Sequence, residues 1–142
     1  MTTTQKTNDK QSARGVISLE PGSGRRYEMG KLTALFKADE AETDARYSVS
    51  EWILQPGFDG VGAHNHDFNE EVFFVLEGKP EMLVGTVWAT FEPGAFIRIP
   101  AGTTHNFRNL TGAEARLLNF FIPGGFEREM PGIVKWFEEN NV

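Results

Sequence analysis

The three histidines of the sequence, His64, His66 and His105, all fall in the stretch from Gly57 to Asn109. They form two clusters with neighbouring residues. The first is His64-Asn65-His66, followed by Glu70-Glu71 and Gly78; the second is Gly94, Pro100, Gly102, His105 and Asn109. On an extended strand side chains alternate faces, so His64 and His66 are expected to project to one side roughly 6 to 7 Å apart, near enough for two imidazoles to share an ion. A carboxylate from Glu70 or Glu71 and the imidazole of His105 complete the set. There is no cysteine, so any metal must be held by nitrogen and oxygen, which excludes iron-sulfur and zinc-finger readings as well as disulfides. Three neutral imidazoles and one carboxylate suit one divalent transition metal per chain: Fe, Mn, Ni, Co, Cu or Zn.

Positioning such a set requires short strands, and the chain supplies them. Alternation predicts strands at Gly15 to Leu19, at Lys31 to Lys37 with Leu32, Ala34 and Phe36 on one face, and at Tyr47 to Gln55. Arg25 to Met29 has no clear pattern, and Ala38 to Asp44 reads as a surface loop. After a strand carrying the histidine pair come Glu71 to Leu76, Glu81 to Val84, Val87 to Phe91, Ala95 to Ile99, His105 to Asn109 and Ala115 to Ile122. Gly85-Thr86 reads as the two-residue loop of a hairpin. Glu77-Gly78-Lys79-Pro80, Glu92-Pro93-Gly94 and Pro100-Ala101-Gly102 are turns, the last aiming His105 inward. Strands at this spacing, punctuated by Gly and Pro, predict an all-β antiparallel sandwich or barrel and not a βαβ fold. Val134 to Asn141, with Val134, Trp136 and Phe137 apolar, predicts a short C-terminal helix packing Trp136 and Phe137 on the outside of the barrel.

The 142 residues suit one domain with one core. Residues 1–13 are polar without apolar periodicity and read as a disordered tail, leaving 14–142 as the domain. A net charge of −6 with scattered Lys and Arg gives no basic stripe for nucleic acid. No apolar run is long enough for a signal peptide or a membrane span. The expectation is a cytoplasmic protein. Phenylalanine is abundant, 12 residues against 2 tyrosines, which predicts an apolar core and a greasy cavity. Trp52, Leu54, Phe73, Val75, Phe107 and Phe120 are candidates for the cavity wall. Phe74, Leu76 and Trp88 fall on the outer face of a sheet, where apolar side chains predict a covering subunit and hence a homodimer.

The two clusters resemble the signature stretches of the cupins. His64-x-His66, four residues, Glu71, six residues and Gly78 fit the first; Gly94, five residues, Pro100, x, Gly102, two residues, His105, three residues and Asn109 fit the second. Between them lie 15 residues, close to the shortest segment the family uses. One departure is Phe58, which stands where the family usually has Gly. The resemblance implies a double-stranded β-helix, or jelly-roll barrel, with His64, His66, Glu71 and His105 as ligands of one metal. Alternation alone leaves Glu70 and Glu71 equivalent, since both their faces are apolar; the family spacing favours Glu71. Asn109 is expected to fix a turn through its backbone partners.

Phe120-Phe121-Ile122-Pro123-Gly124-Gly125-Phe126-Glu127 also resembles cupins related to the flavonol-cleaving enzymes, which implies a dioxygenase acting on a small enolic or aromatic compound, flavonol- or diketone-like, with O₂ as co-substrate. Glu71 is then the candidate catalytic base. The alternatives are a metal-dependent isomerase or lyase of a sugar or keto acid, and a non-catalytic small-molecule-binding cupin.

Overall fold

A computed structural model describes residues 15–140; the tail predicted at 1–13 lies outside the described residues. Nine strands make two antiparallel sheets facing each other. The larger contains β1 (Arg25–Met29), β2 (Leu32–Ala38), β3 (Ser48–Leu54), β9 (Ala115–Ile122), β4 (Glu70–Glu77) and β7 (Phe96–Ile99), in that order across the sheet. The smaller runs β6 (Val87–Thr90), β5 (Glu81–Val84), β8 (His105–Arg108). This is the expected all-β jelly-roll barrel, closed at its C-terminal end by helix α1 (Met130–Asn140).

The pairing register explains what points inward. On the larger sheet Glu71 lies opposite Ile99 and Phe121, Phe73 opposite Ile97 and Asn119, and Val75 opposite Leu117. On β3, Ser50 faces Asn119 and Trp52 faces Leu117. Since alternate residues share a face, these form successive inward rows, all buried. From the smaller sheet Met82 and Val84, paired with Phe107 and His105, look back across the core. Phe107 joins the two layers: its ring lies 5.9 Å from Trp52, 6.0 Å from Phe73 and 6.1 Å from Phe58, at tilted or edge-on angles that suit aromatic quadrupoles. Gly78 permits close approach where β4 ends. Its φ is +80°, and a Cβ there would sit 2.5 Å from Glu114 O, so this position takes glycine on both conformational and steric grounds.

Several elements differ from the sequence expectation. Gly15 to Leu19 forms no strand; Ile17 and Leu19 border a cleft with Lys37, Glu51 and Arg116 on the outer face of the larger sheet. The patternless Arg25–Met29 is instead β1, recruited by pairing with β2. Non-local partners override weak local signals of this kind. Within the loop after β2, Glu40–Glu42 forms a single 3-10 turn closed by an Asp39 and Glu42 capping box.

The histidine pair sits on no strand. Apart from single bridges at Phe58 and His64, residues 55–69 are irregular, and Gly57, Gly60 and Gly62 there all adopt positive φ, which breaks a pleat. Phe58, the departure from the family pattern, is a buried core residue bridged to Asn109. Helix α1 begins four residues before the predicted start, because Pro131 lies in its first turn, where its missing N–H leaves no bond unmade. Its buried face is then set by Met130 and Phe137 with Ile133 and Val134 packed alongside, and Trp136 is left half exposed. No described helix is long and apolar enough to cross a membrane.

Candidate metal centre

His64, His66, Glu71 and His105 converge. One donor atom from each lies within 4.8 Å of all the others. His64 and His105 are tied through the backbone, each N–H donating to the other's carbonyl at 3.0 and 2.8 Å. The turn at Pro100-Ala101-Gly102 docks on the first cluster, Gly102 N–H donating to His66 O at 2.8 Å. Glu71 comes from β4, where it is almost fully buried; Glu70 turns outward and pairs with Arg98 at 2.6 Å. The structure therefore brings Glu71, and not Glu70, to the imidazoles.

The rings are pre-aimed. His64 Nδ1 lies 2.8 Å from Gly62 O and His105 Nδ1 lies 2.8 Å from Thr103 O. A carbonyl only accepts, so each Nδ1 carries the proton, and each neutral ring presents the lone pair of Nε2 to the centre. Such backbone contacts are what orients metal-binding histidines. Glu71 Oε2 stands 2.6 Å from His105 Nε2 and 2.9 Å from His66 Nε2. A carboxylate oxygen and an imidazole lone pair at that distance need a proton or a cation between them. A divalent ion meets this demand for all four groups, and by this test the residues present fit a metal.

Without an ion the same demand is met by protons. Burial pushes the Glu71 carboxyl up, but hydrogen bonds from His105 and His66 outweigh it and bring the group down to about 2. Burial lowers His105, and its bond and charge attraction to Glu71 more than reverse this, leaving it raised. His64 is lowered, first by burial and further by the neighbouring imidazoles, with the Gly62 carbonyl opposing.

Three of the four groups, His64, His66 and Glu71, line a cavity of about 730 Å³, with His105 buried behind them. Of the residues predicted for its wall, Trp52, Phe73 and Phe107 line it, whereas Leu54, Val75 and Phe120 do not. Val75 is four residues along β4 from Glu71, about 13 Å at strand rise, and packs with Leu54 in the core beyond the cavity floor. Phe120 faces the other side of β9; its neighbour Phe121 points inward opposite Glu71. Five aromatic contributions were not anticipated, one of them the exposed Phe68. Phe121 and Phe126 stack with centroids 4.3 Å apart and both meet the His66 ring edge-on, while Trp136 and Phe137 wall the mouth from α1. Asn119 was also missed: its Nδ2 donates to Glu71 Oε1 at 3.1 Å. The parity of β9 could have revealed both Phe121 and Asn119, since Arg116 marks the outward set. Asn109, fully buried, donates to Leu54 O and Ala113 O and accepts from Thr111, fixing the turn as expected.

Comparison with known proteins agrees with this architecture. Residues 50–121 match the family described as "Cupin domain". The chain is 32% identical over 109 residues to quercetin 2,3-dioxygenase of Bacillus subtilis (strain 168), covering 77% of this chain and 32% of that protein. It is 28% identical over 88 residues to the polyketide synthase CurC of Streptomyces cyaneus, covering 57% of this chain and 56% of the relative. The chain thus spans about a third of the first relative and about half of the second. Among solved structures, the polyketide cyclase RemF from Streptomyces resistomycificus superposes with a TM-score of 0.66 at 22% identity, over 76% of this chain and 80% of RemF. The matched region takes in both histidine clusters and, of the nine described strands, β4 to β8 whole with most of β3 and β9, and on that footing the chain belongs to the cupin family.

Proposed function

We propose that this protein is a metal-dependent dioxygenase-type oxidoreductase acting on a small enolic or aromatic compound, flavonol- or diketone-like, held at His64, His66, Glu71 and His105. The observation that carries the reading is the arrangement of one polar pole, in which His64, His66 and Glu71, backed by the buried His105, border a cavity walled by Trp52, Phe73, Phe107, Phe121 and Phe126. Such a cavity favours a flat apolar body with its oxygens on one edge. A divalent metal bound there supplies Lewis acidity and an electron path between an enolate and O₂. The chain's own residues do the rest. The Phe121 and Phe126 pair offers a ring face against which an aromatic substrate stacks, Trp136 and Phe137 screen the mouth from water, and Glu71 Oε2 is placed to take the proton of a substrate hydroxyl. The likeness to the Bacillus quercetin 2,3-dioxygenase supports this substrate class.

Oxygen uptake tests it. Protein loaded separately with Fe, Mn, Ni and Co is expected to consume O₂ with a flavonol or a 1,3-diketone for at least one metal; no uptake with any pairing overturns the reading. A second reading, a step in polyketide synthesis without O₂, draws support from the likeness to the polyketide synthase CurC. It expects substrate turnover under nitrogen.

We further propose a homodimer. Phe74, Leu76, Phe96 and Ile122 are exposed on strands β4, β7 and β9, an apolar group suited to burial against a second copy. Trp88 is not part of it: it lies on β6 of the smaller sheet, with the Arg108 guanidinium 3.7 Å over its ring. Light scattering of the eluted protein is expected to give twice the chain mass, and Phe74→Asp to shift it towards one; a monomeric wild type overturns the proposal.

A further inference from the structure

One oxygen of Glu71 is already committed. Asn119 Nδ2 donates to Oε1 at 3.1 Å and to Val72 O at 3.3 Å. Asn119 Oδ1 in turn lies 3.3 Å from Ser50 Oγ, and Ser50 Oγ lies 2.8 Å from Trp52 Nε1. An indole N–H only donates, so Ser50 Oγ accepts at that end and its own proton is left for Asn119 Oδ1. This sets the orientation of the Asn119 amide with Nδ2 towards Glu71. The hydrogen bonds from Trp52 through Ser50 and Asn119 therefore run in one direction to the carboxylate, and the second Nδ2 proton goes to Val72 O. All four residues are buried, Ser50 and Asn119 completely, and Trp52, Asn119 and Glu71 border the cavity. The path crosses three adjacent strands at positions set by register, Ser50 opposite Asn119 and Asn119 opposite Phe73, two residues from Glu71. Buried polar side chains bonded to one another stabilise a fold no more than apolar groups of the same shape, so what this chain changes is the state of Glu71.

We propose that Trp52, Ser50 and Asn119 form a positioning relay that ties down Glu71 Oε1, so that Glu71 meets the cation through Oε2 alone and pivots about a fixed point. The proposal rests on reading the His64, His66, Glu71 and His105 cluster as a metal centre. Ligation by one oxygen leaves an additional coordination position for substrate. The pivot allows Oε2 to turn towards a substrate hydroxyl while Oε1 keeps its donor.

The test titrates Co(II) into metal-free full-length protein, reading both Kd and the visible absorption spectrum, for wild type, Asn119→Leu, Ser50→Ala and the double variant. Asn119→Leu is expected to bind Co(II) about 10–100-fold more weakly, with weaker visible bands as the second carboxylate oxygen joins the ion. Ser50→Ala is expected to move both readouts in the same direction by less. The double variant should bind no more weakly than Asn119→Leu, because Ser50 acts only through Asn119. Wild-type affinity and spectrum in both single variants overturn the relay, and so do losses that simply add. If Asn119→Leu fails to fold, Ser50→Ala decides the matter, with Ser50→Thr, which keeps the hydroxyl, expected to restore the wild-type spectrum. A wild type that binds no Co(II) overturns the metal reading itself, a result distinct from wild-type binding that the variants leave unchanged.

Discussion

His105→Ala is expected to lose the metal and to destabilise the metal-free fold as well, whereas His64→Ala is expected to lose only the metal. Both supply a lone pair to the centre. Outer partners of metal ligands are worth about 10–100-fold in affinity, so removal of a ligand itself should cost more than that. The two differ in what they leave behind. His105 Nε2 lies 2.6 Å from Glu71 Oε2, and both side chains are nearly inaccessible to water. Deleting the imidazole strands a buried carboxylate that keeps only His66 and the neutral Asn119 as donors. Breaking such a pair from one side typically costs about 3–5 kcal/mol. His64 makes no bond to Glu71; its ring bond is to Gly62 O at 2.8 Å, and the truncation leaves only that carbonyl to find water. Elemental analysis of protein purified without chelators or a histidine tag reads the first effect, and urea unfolding of metal-free protein the second. Full metal content in His105→Ala would rule out the proposed centre, and equal unfolding midpoints for the two variants would rule out the Glu71 pairing as a stability determinant.

The parts of this site that could be read from the chain are those in which residue type and spacing act together. His64, His66, Glu71 and His105 bear chemistry that few other positions could supply, and the turn residues Gly78, Gly94, Pro100 and Gly102 marked the ends of the strands around them. The fold was legible for a related reason: Ser48–Leu54, Glu81–Val84 and Ala115–Ile122 are short runs rich in strand formers and bounded by Gly or Pro. What escaped depends on contacts distant in sequence. A strand was the natural reading of His64-x-His66, yet the backbone there is irregular and the ring centroids stand 5.1 Å apart, closer than strand geometry gives, because the two rings are aimed by Gly62 and the Pro100 turn and not by a pleat. Phe120 and Phe121 differ only in parity, and an adjacent pair of identical residues hides which one faces in. Ser50 was invisible as a site residue because a polar residue in a half-buried strand ordinarily faces water; only the register that sets it opposite Asn119 makes the two an inward pair.

Alkalinisation is expected to separate the loaded from the metal-free protein, whereas acidification weakens both by different routes. Imidazoles ligate as neutral bases, so protons compete with the ion and bound metal should be released as pH falls below roughly 6. In the metal-free protein a proton shared by His105 and Glu71 takes the place of the cation. His105 is raised above its ordinary 6.5 by Glu71, so the folded state binds this proton more tightly than the unfolded chain does. Its contribution is fully present below about 6.5 and is lost as pH rises through the raised folded value. Glu71, lowered to about 2 from 4.5, contributes above 4.5 and loses that contribution as pH falls towards 2. His64, lowered by burial, resists its own protonation; its contribution is present above 6.5 and falls away below. The metal-free protein should therefore be most stable between these limits and lose thermal stability towards pH 9, while the loaded protein, whose His105 lone pair is held by the ion, should keep its Tm there and lose it on the acid side as metal departs. Thermal unfolding of both forms from pH 4 to 9, with metal content measured at each point, reads the two trends. Metal retained in full at pH 4, or a metal-free Tm that rises from pH 7 to 9, would show that the proton and the cation do not compete for one place between His105 and Glu71.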